Sequence, residues 1–170
     1  MIEIRCSSDL HTALGRHAAR KPSSRQDAPT RLGNWAAILG SRALVIAIEE
    51  RTCLTLVFRL RPVAGLRNRL AQALREALLT SGVPSDAIES ECEAIRGASF
   101  VRRRHPALRD ALEFAEEEGM SHVEYGQSEA SVQDMLNEFP YSECPASCPK
   151  EAVGILFGRP ASASTTPRCP

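Results

Sequence analysis

The stretch from Leu32 to Leu60 decides the fold. It reads LGNWAAIL at 32–39, GS at 40–41, RALVIAI at 42–48, EERT at 49–52 and CLTLVFRL at 53–60. It holds the only tryptophan of the chain and two runs of large and β-branched apolar residues, which are separated by a short polar segment. Runs of this kind favour strands, and a polar break of this length favours a turn. The stretch therefore predicts a β-hairpin that nucleates a sheet.

The predicted hairpin is apolar on both faces. Alternate residues of a strand point to opposite sides of a sheet, and both sets are largely apolar from Leu44 to Ile48 and from Cys53 to Phe58. This pattern indicates a position in the middle of the sheet with cover on both sides. We expect Trp35 to be a core residue over the sheet rather than a ligand platform. We expect Glu49 to Thr52 to form a solvated turn in preference to a catalytic carboxylate pair, because such pairs are informative only with a pocket and a shifted pKa.

Outward from the hairpin, strand and helix signals follow one another along the chain. The alternation in residues 1–6 predicts a strand with one wet face, and further strands are predicted at 98–101 and, as a short edge strand, at 120–125. Glu91 is expected on the wet face of its helix together with Glu89 and Glu93. A short helix is predicted between a cap within Ser7–Asp9 and a stop at Gly15, and a longer one at 62–81. Further helices are predicted between the Ser85 cap and Gly97, after Pro106, and from Ser128 to Phe139.

The length of 170 residues suits one domain and a tail. We predict an α+β domain over residues 1–140, with a small mixed or antiparallel sheet around the central hairpin and helices packed on it. Residues 141–170 are predicted to be a C-terminal extension, rich in cysteine and proline and partly disordered.

The composition excludes several classes of protein. Lys and Arg together number 21, as do Asp and Glu, so no global field would hold the chain on nucleic acid or on an anionic membrane. The sequence shows neither a signal peptide nor a transmembrane run, and no cofactor motif. We therefore expect a cytoplasmic protein with reduced cysteines, no membrane association and no cofactor.

Three short motifs resemble a known family. The chain carries IRCS at 4–7, LGNWA at 32–36 and ERT at 50–52. Small bacterial proteins known only as a domain of unknown function have an IRCT-like opening strand, an LGDW-like segment and an ERT-like hairpin turn in the same order. The resemblance covers roughly residues 1–115 and implies the α+β fold. It implies no activity, and the closing polar motif of that family is replaced here by ALRDALEF at 107–114.

The densest positive cluster follows the predicted strand at 98–101. Arginine side chains at a strand end can bind phosphate oxygens in a bidentate manner. The adjacent acidic helix opposes this reading, and short basic runs are commonly only solvated. We treat the cluster, with the basic loop that precedes the hairpin, as a candidate nucleic-acid patch composed of Arg102, Arg103, Arg104, His105, Lys21 and Arg25.

The helix predicted from Ser128 has one apolar stripe. That stripe either completes the core, which is the usual fate of such helices, or faces a protein partner. The candidate partner-binding residues are Val132, Met135, Leu136 and Phe139.

The cysteines do not form a complete metal motif. Cys144 and Cys148 would need two more zinc ligands, which His122 and Cys169 would supply only if the fold happened to bring them together. Their spacing also differs from the redox motif with two intervening residues. A catalytic pair of Cys6 with a histidine is a further alternative, although a buried cysteine is usually inert.

These observations support three hypotheses about function. The first is a non-enzymatic protein-binding or regulatory module that acts through a protein partner or a larger assembly. The second is a nucleic-acid-binding accessory protein that uses the arginine patch. The third is a small enzyme with a Cys/His site, and the absence of catalytic motifs favours the two non-enzymatic hypotheses.

Overall fold

The computed structural model describes residues 2–18 and 30–158. They form a five-stranded sheet with the order β4-β3-β2-β1-β5. Strand β1 is parallel to β2 and β5, whereas β2, β3 and β4 form antiparallel pairs. The mixed sheet with helices packed on it confirms the predicted α+β class. The strands are β1 Glu3–Cys6, β2 Trp35–Leu39, β3 Leu44–Glu49, β4 Thr55–Arg59 and β5 Ser99–Arg102.

Helices cover both faces of the sheet. Buried residues of α1, α2, α3 and α6 belong to a core on one face, and those of α4 and α5 belong to a second core on the other. Among the described residues, no helix is both long and apolar enough to cross a membrane. The helices are α1 Ser8–Leu14, α2 Leu66–Thr80, α3 Ser85–Arg96, α4 Arg109–Glu124, α5 Glu129–Glu138 and α6 Pro149–Leu156.

The alternation of the strands explains the two cores. Ile4 and Trp35, which are register partners, point into the first core, and their neighbour Ala36 points into the second. Strand β3 is buried along its whole length because it sends Val45 to the first core and Ile46 to the second. Trp35 is fully buried, as expected for a core residue.

The hairpin lies at the edge of the sheet, so the prediction of a central position is wrong for β4. Both of its faces are covered, but one of its backbone edges has no strand partner. Helix α5 lies against that edge, and two buried side-chain amides replace the missing strand. Thr55 N donates to Asn137 Oδ1 at 2.8 Å, and Val57 N donates to Gln133 Oε1 at 3.0 Å. An apolar strand can therefore occupy the edge without exposing these amides.

Two local predictions are also wrong. Residues 120–125 do not form an edge strand, because α4 continues to Glu124 with Ala115, Gly119 and Val123 buried at helical spacing. Gly119 faces the second core, and a Cβ at this position would lie at an ordinary contact distance, 3.4 Å, from Ile46 Cδ1.

Glu91 is buried rather than wet. Its carboxylate points inward to bind the backbone that leads into β2, where Arg31 N donates to Glu91 Oε1 at 2.6 Å.

The C-terminal extension is ordered as far as the structure describes it. Helix α6 places Val153 in the first core with no exposed surface. The rest of this extension, residues 159–170, lies outside the described residues, so its predicted disorder stays a prediction. The same holds for residues 19–29, which include most of the basic loop before the hairpin.

Candidate functional site

The parallel strands β1 and β5 send the chain to opposite faces of the sheet. After β1 the chain enters α1 on the side of the first core, and after β5 it enters α4 on the side of the second core. In open sheets that contain parallel strands, ligands commonly bind outside the carboxyl ends of neighbouring strands whose connections diverge in this way. The geometry of the fold therefore directs attention to the ends of β1 and β5.

A groove of about 620 Å³ opens at this place, between the sheet and α4. Its floor includes Arg5 of β1 and the small and apolar side chains of β2, Ala36 and Ile38. The segment after β5 and the first turns of α4 line the rest of it. The charged groups among the lining residues are Arg5, Arg103, Arg104, His105, Arg109, Glu113 and Glu116.

Two of the basic side chains are free to meet a ligand. Arg103 and Arg104 are exposed, and neither forms an ion pair or a side-chain hydrogen bond with any residue that the structure describes. Arg109 is engaged by its own helix, since its Nε lies 2.8 Å from Glu113 Oε1. Arg102 points elsewhere and donates to Ser8 Oγ at 3.1 Å. The lining of the groove therefore combines two unpaired arginines with the Arg109–Glu113 ion pair and the carboxylate of Glu116.

A network of charges connects the floor of the groove to the hairpin turn. Glu50 Oε2 lies 3.5 Å from Arg5 Nη1 and 3.4 Å from His105 Nε2. The other oxygen of Glu50 accepts hydrogen bonds from the backbone and the side-chain nitrogen of Asn34. Asn34 Oδ1 in turn accepts from Glu3 N at 3.0 Å. Glu50 therefore holds the floor and one wall of the groove in place.

This network joins the three motifs that carry the family resemblance. Arg5 belongs to the opening strand, Asn34 to the LGNW segment and Glu50 to the hairpin turn. Sequence reasoning recognised the motifs, but it did not bring them together or include Arg5 and Glu50 in a site. The chain shares the order of these three motifs with the family, and that order was the signal in the sequence for a common site. It carried no information about which residues contact one another.

Glu49, the residue before Glu50, is a buried polar residue at the start of the turn. The prediction of a solvated turn is therefore wrong for Glu49. Its side chain is fully buried and accepts hydrogen bonds from Gly33 N at 2.6 Å and from Thr52 N and Thr52 Oγ1 at 2.8 Å. Gly33 allows the close approach, since a Cβ there would lie 3.0 Å from Glu49 Oε1. The carboxylate thereby fastens the LGNW segment to the turn.

The structure brings together only part of the predicted nucleic-acid patch. Arg103, Arg104 and His105 line the groove, whereas Arg102 lies beside α1. Lys21 and Arg25 lie outside the described residues.

The predicted partner-binding stripe is mainly core. Val132 and Leu136 have no exposed surface in the second core, and Met135 is partly buried against it. Most of this stripe is therefore buried within the domain. Phe139 is 39% exposed, with its ring centroid 4.5 Å from that of Phe114. Tyr125 is also exposed, but it follows the last turn of α4, about 16 Å along the helix from Phe114. The two exposed rings therefore do not form one patch, and contact with a protein partner stays a prediction without an assigned surface.

The structure also bears on the two roles considered for the cysteines, a catalytic pair with Cys6 and a metal site. Cys6 is buried, and burial raises the pKa of its thiol to about 12, which leaves it unsuited to nucleophilic attack at neutral pH. No group of three or more metal-binding side chains comes together within residues 2–18 and 30–158. Cys169 lies outside that part of the chain.

The buried Glu91 predicts a pH effect on stability. Burial raises its pKa above the ordinary value of 4.5, with a smaller contribution from Glu49, although hydrogen bonds from Arg31 and Leu32 backbone amides oppose the shift. Between the unfolded and the folded pKa, the folded chain holds a proton that the unfolded chain has lost, so this group lowers stability as the pH rises. We expect Glu91→Gln to remove that decline in urea midpoints measured from pH 4 to 8.

The exposed neighbour Glu93 provides the matched control for this measurement. Glu93→Gln should keep the decline seen in the parent protein, because the Glu93 side chain is 64% exposed. The same decline in Glu91→Gln would show that the Glu91 carboxyl is not its source.

Comparison with known proteins identifies the family but no function. No significant match is found among curated proteins or among solved structures. A family model described as a domain of unknown function, DUF6933, matches residues 3–151. The match includes the three motifs of the groove network and extends beyond the resemblance at residues 1–115 to α5 and the start of α6. The chain therefore belongs to the DUF6933 family of domains of unknown function.

Proposed function

We propose that this protein is a non-enzymatic binding module whose groove holds the phosphate groups of its ligand, either a nucleic acid or a free nucleotide. The observation that carries the proposal is the pair of exposed arginines, Arg103 and Arg104, at the mouth of a groove where β1 and β5 diverge. The proposal narrows the predicted nucleic-acid patch to the residues that share one surface.

The charges and the dimensions of the groove support a phosphate ligand. Guanidinium groups match phosphate oxygens in pairs of hydrogen bonds, and the guanidinium groups of Arg103 and Arg104 have no ion-pair partner among the described residues. The volume of about 620 Å³ lies within the range of sites for small molecules. Glu116, which also lines the groove, would repel further phosphates and would favour the neutral or cationic part of a ligand, whereas the charge of Glu113 is balanced by Arg109.

The structure lends less support to the other two hypotheses. The main apolar side chains of the stripe on α5 are buried in the second core, and Cys6 is buried in the first core. We place the binding activity in a bacterial cytoplasm, in keeping with the composition of the chain.

Binding should fall when the two free arginines are removed. In fluorescence anisotropy with a labelled single-stranded DNA oligonucleotide, we expect the double variant Arg103→Ala/Arg104→Ala to bind at least tenfold more weakly, a loss of about 1.4 kcal/mol or more. The slope of log K against log salt concentration should also become shallower by about 0.7 for each phosphate of the single strand that the variant no longer binds. Competition by a mononucleotide at micromolar concentration would identify a free nucleotide as the ligand, whereas competition only by oligonucleotides would identify nucleic acid.

Arg61 provides a matched control. It is exposed, it follows β4 at the opposite edge of the sheet, and Arg61→Ala removes one of the two charges that the double variant removes. Equal losses for Arg61→Ala and for either single variant, Arg103→Ala or Arg104→Ala, would indicate a non-specific effect of net charge. Absence of binding to both oligonucleotides and nucleotides would contradict the proposal.

A further inference from the structure

Two thiols of the second core, Cys53 and Cys144, contact each other across a long stretch of chain. Cys53 follows the hairpin turn and is buried, whereas Cys144 lies between α5 and α6 and is partly exposed. Cys144 Sγ donates a hydrogen bond to the carbonyl oxygen of Thr52, the residue before Cys53, at 3.5 Å. The Cys144 side chain packs against the second core, to which Cys53 belongs, and the two thiols interact electrostatically. The fold therefore places a reachable sulfur against a protected one.

The segment that carries Cys144 is anchored to the hairpin. Tyr141 Oη lies 3.3 Å from Thr55 Oγ1, and Cys144 N donates to the carbonyl oxygen of Tyr141 at 3.1 Å. The first contact holds this segment against the start of β4, and the second closes the turn at 141–144. The approach of the two sulfurs is thus part of a packed interface rather than a chance contact of free side chains.

We propose that Cys144 is an oxidation site for hydroperoxides, and that Cys53 resolves the oxidised sulfur as an intramolecular disulfide. The inference is independent of the phosphate-binding groove, because neither cysteine lines that groove.

The environment of each thiol supports this order of events. The interaction with Cys53 lowers the pKa of the Cys144 thiol, although burial and the charge of Glu151 oppose the shift. Cys144 is therefore the thiol of the pair that ionises more readily as well as the more exposed one, and the thiolate is the nucleophile. The interaction with Cys144, followed by burial, raises the pKa of Cys53. Cys53 therefore stays protonated and, like Cys6, is a poor nucleophile toward a dissolved reagent. It reacts only with the oxidised sulfur of Cys144, which is held beside it in the same core.

The reaction balances with a hydroperoxide as the only co-reactant. The Cys144 thiolate attacks the terminal peroxide oxygen, the O–O bond breaks, and the leaving oxygen takes up a proton to become water or an alcohol. The sulfur of Cys53 then attacks the sulfenic acid of Cys144 and forms the S–S bond, while hydroxide leaves with the proton of Cys53 as water. The two thiols lose two electrons, which reduce the peroxide.

The test counts thiols in the full-length protein. The reduced chain has six cysteines, so a denaturing thiol assay should report six before treatment with hydrogen peroxide and four afterwards. Non-reducing peptide mapping should then show Thr52–Arg59 joined to Asp110–Lys150, because trypsin cleaves after Arg51, Arg59, Arg109 and Lys150. Dithiothreitol should restore all six thiols.

Two single variants locate the reactive sulfur. Cys144 and Cys148 lie on the same tryptic peptide, so Cys148→Ser is the matched control and should still form the cross-link at the parent rate. Cys144→Ser should lose the cross-link and should react with peroxide at least tenfold more slowly. Because Cys144 is partly exposed, the serine variant is expected to fold, and circular dichroism verifies this.

Several results would overturn the inference. These are a disulfide between Cys144 and Cys148, a sulfinic acid at Cys144 with Cys53 still reduced, an unchanged thiol count after peroxide, and a cross-link that survives in Cys144→Ser. Loss of phosphate binding in the groove would leave the thiol result intact, so the two proposals can fail separately.

Discussion

Replacement of Glu49 by alanine is expected to lower the free energy of unfolding by about 4 kcal/mol, because it leaves several buried donors without an acceptor. Glu49 accepts from Gly33 N, Arg51 N, Thr52 N and Thr52 Oγ1, and its side chain has no exposed surface. Urea unfolding followed by the fluorescence of Trp35 measures the loss, and Trp35 is the register partner of Glu49 in the sheet.

Conservative variants separate the hydrogen bonds of Glu49 from its packing. Glu49→Gln keeps the shape but turns an NH₂ group toward at least one donor, so we expect a loss of about 2 kcal/mol. Glu50→Gln is the matched control, because Glu50 is 26% exposed and its ion pairs are long. It should cost less than about 1 kcal/mol. Equal losses at the two positions would contradict the assignment of Glu49 as the polar centre of the turn.

Replacement of Asn137 by alanine is expected to cost about 3 kcal/mol, because it leaves both backbone groups of the buried Thr55 unpaired. Asn137 Oδ1 accepts from Thr55 N and Asn137 Nδ2 donates to Thr55 O, both at 2.8 Å, as a neighbouring strand would. Hydrogen exchange at the Thr55 amide should become faster in the variant. The uncovered edge of β4 should also increase concentration-dependent association, which analytical ultracentrifugation measures.

The chemistry of the Asn137 contact can be separated from its volume. Asn137→Asp keeps the acceptor for Thr55 N but replaces the donor with an oxygen that faces two carbonyl groups, those of Thr55 and Gln133. We therefore expect a loss at neutral pH that is partly recovered when the carboxyl is protonated. Asp134→Ala on the exposed side of α5 should change stability by less than about 0.5 kcal/mol. An Asn137→Ala variant with an unchanged free energy of unfolding would show that water replaces the amide at this edge.

The candidate site was only partly predictable from the sequence. Arg103 and Arg104 stood out because a run of like charges is visible without a structure. Arg5 and Glu50 did not, because a single charge on a strand or in a turn looks the same whether it faces water or a groove. The carboxylate of Glu91 was expected to be solvated for the same reason, although it binds a backbone amide in the interior.

The sequence by itself determined the elements that depend on local periodicity. The side of an element that avoids water is visible in the alternation of β1, in the apolar strands of the hairpin and in the helical stripe of α2. This information lies within a few neighbouring residues of the sequence. The burial of Trp35 follows from the same hydrophobic driving force.

Only the tertiary structure decided the order of the strands and the fate of the polar side chains. Strand β1 lies between β2 and β5, which are distant in the chain, and this pairing opens the groove where β1 and β5 diverge. Asn137 and Glu49 became interior residues because their partners arrived from remote segments. A polar group is stable in the interior only where its hydrogen bonds are completed, and those bonds form between segments whose proximity no local pattern records.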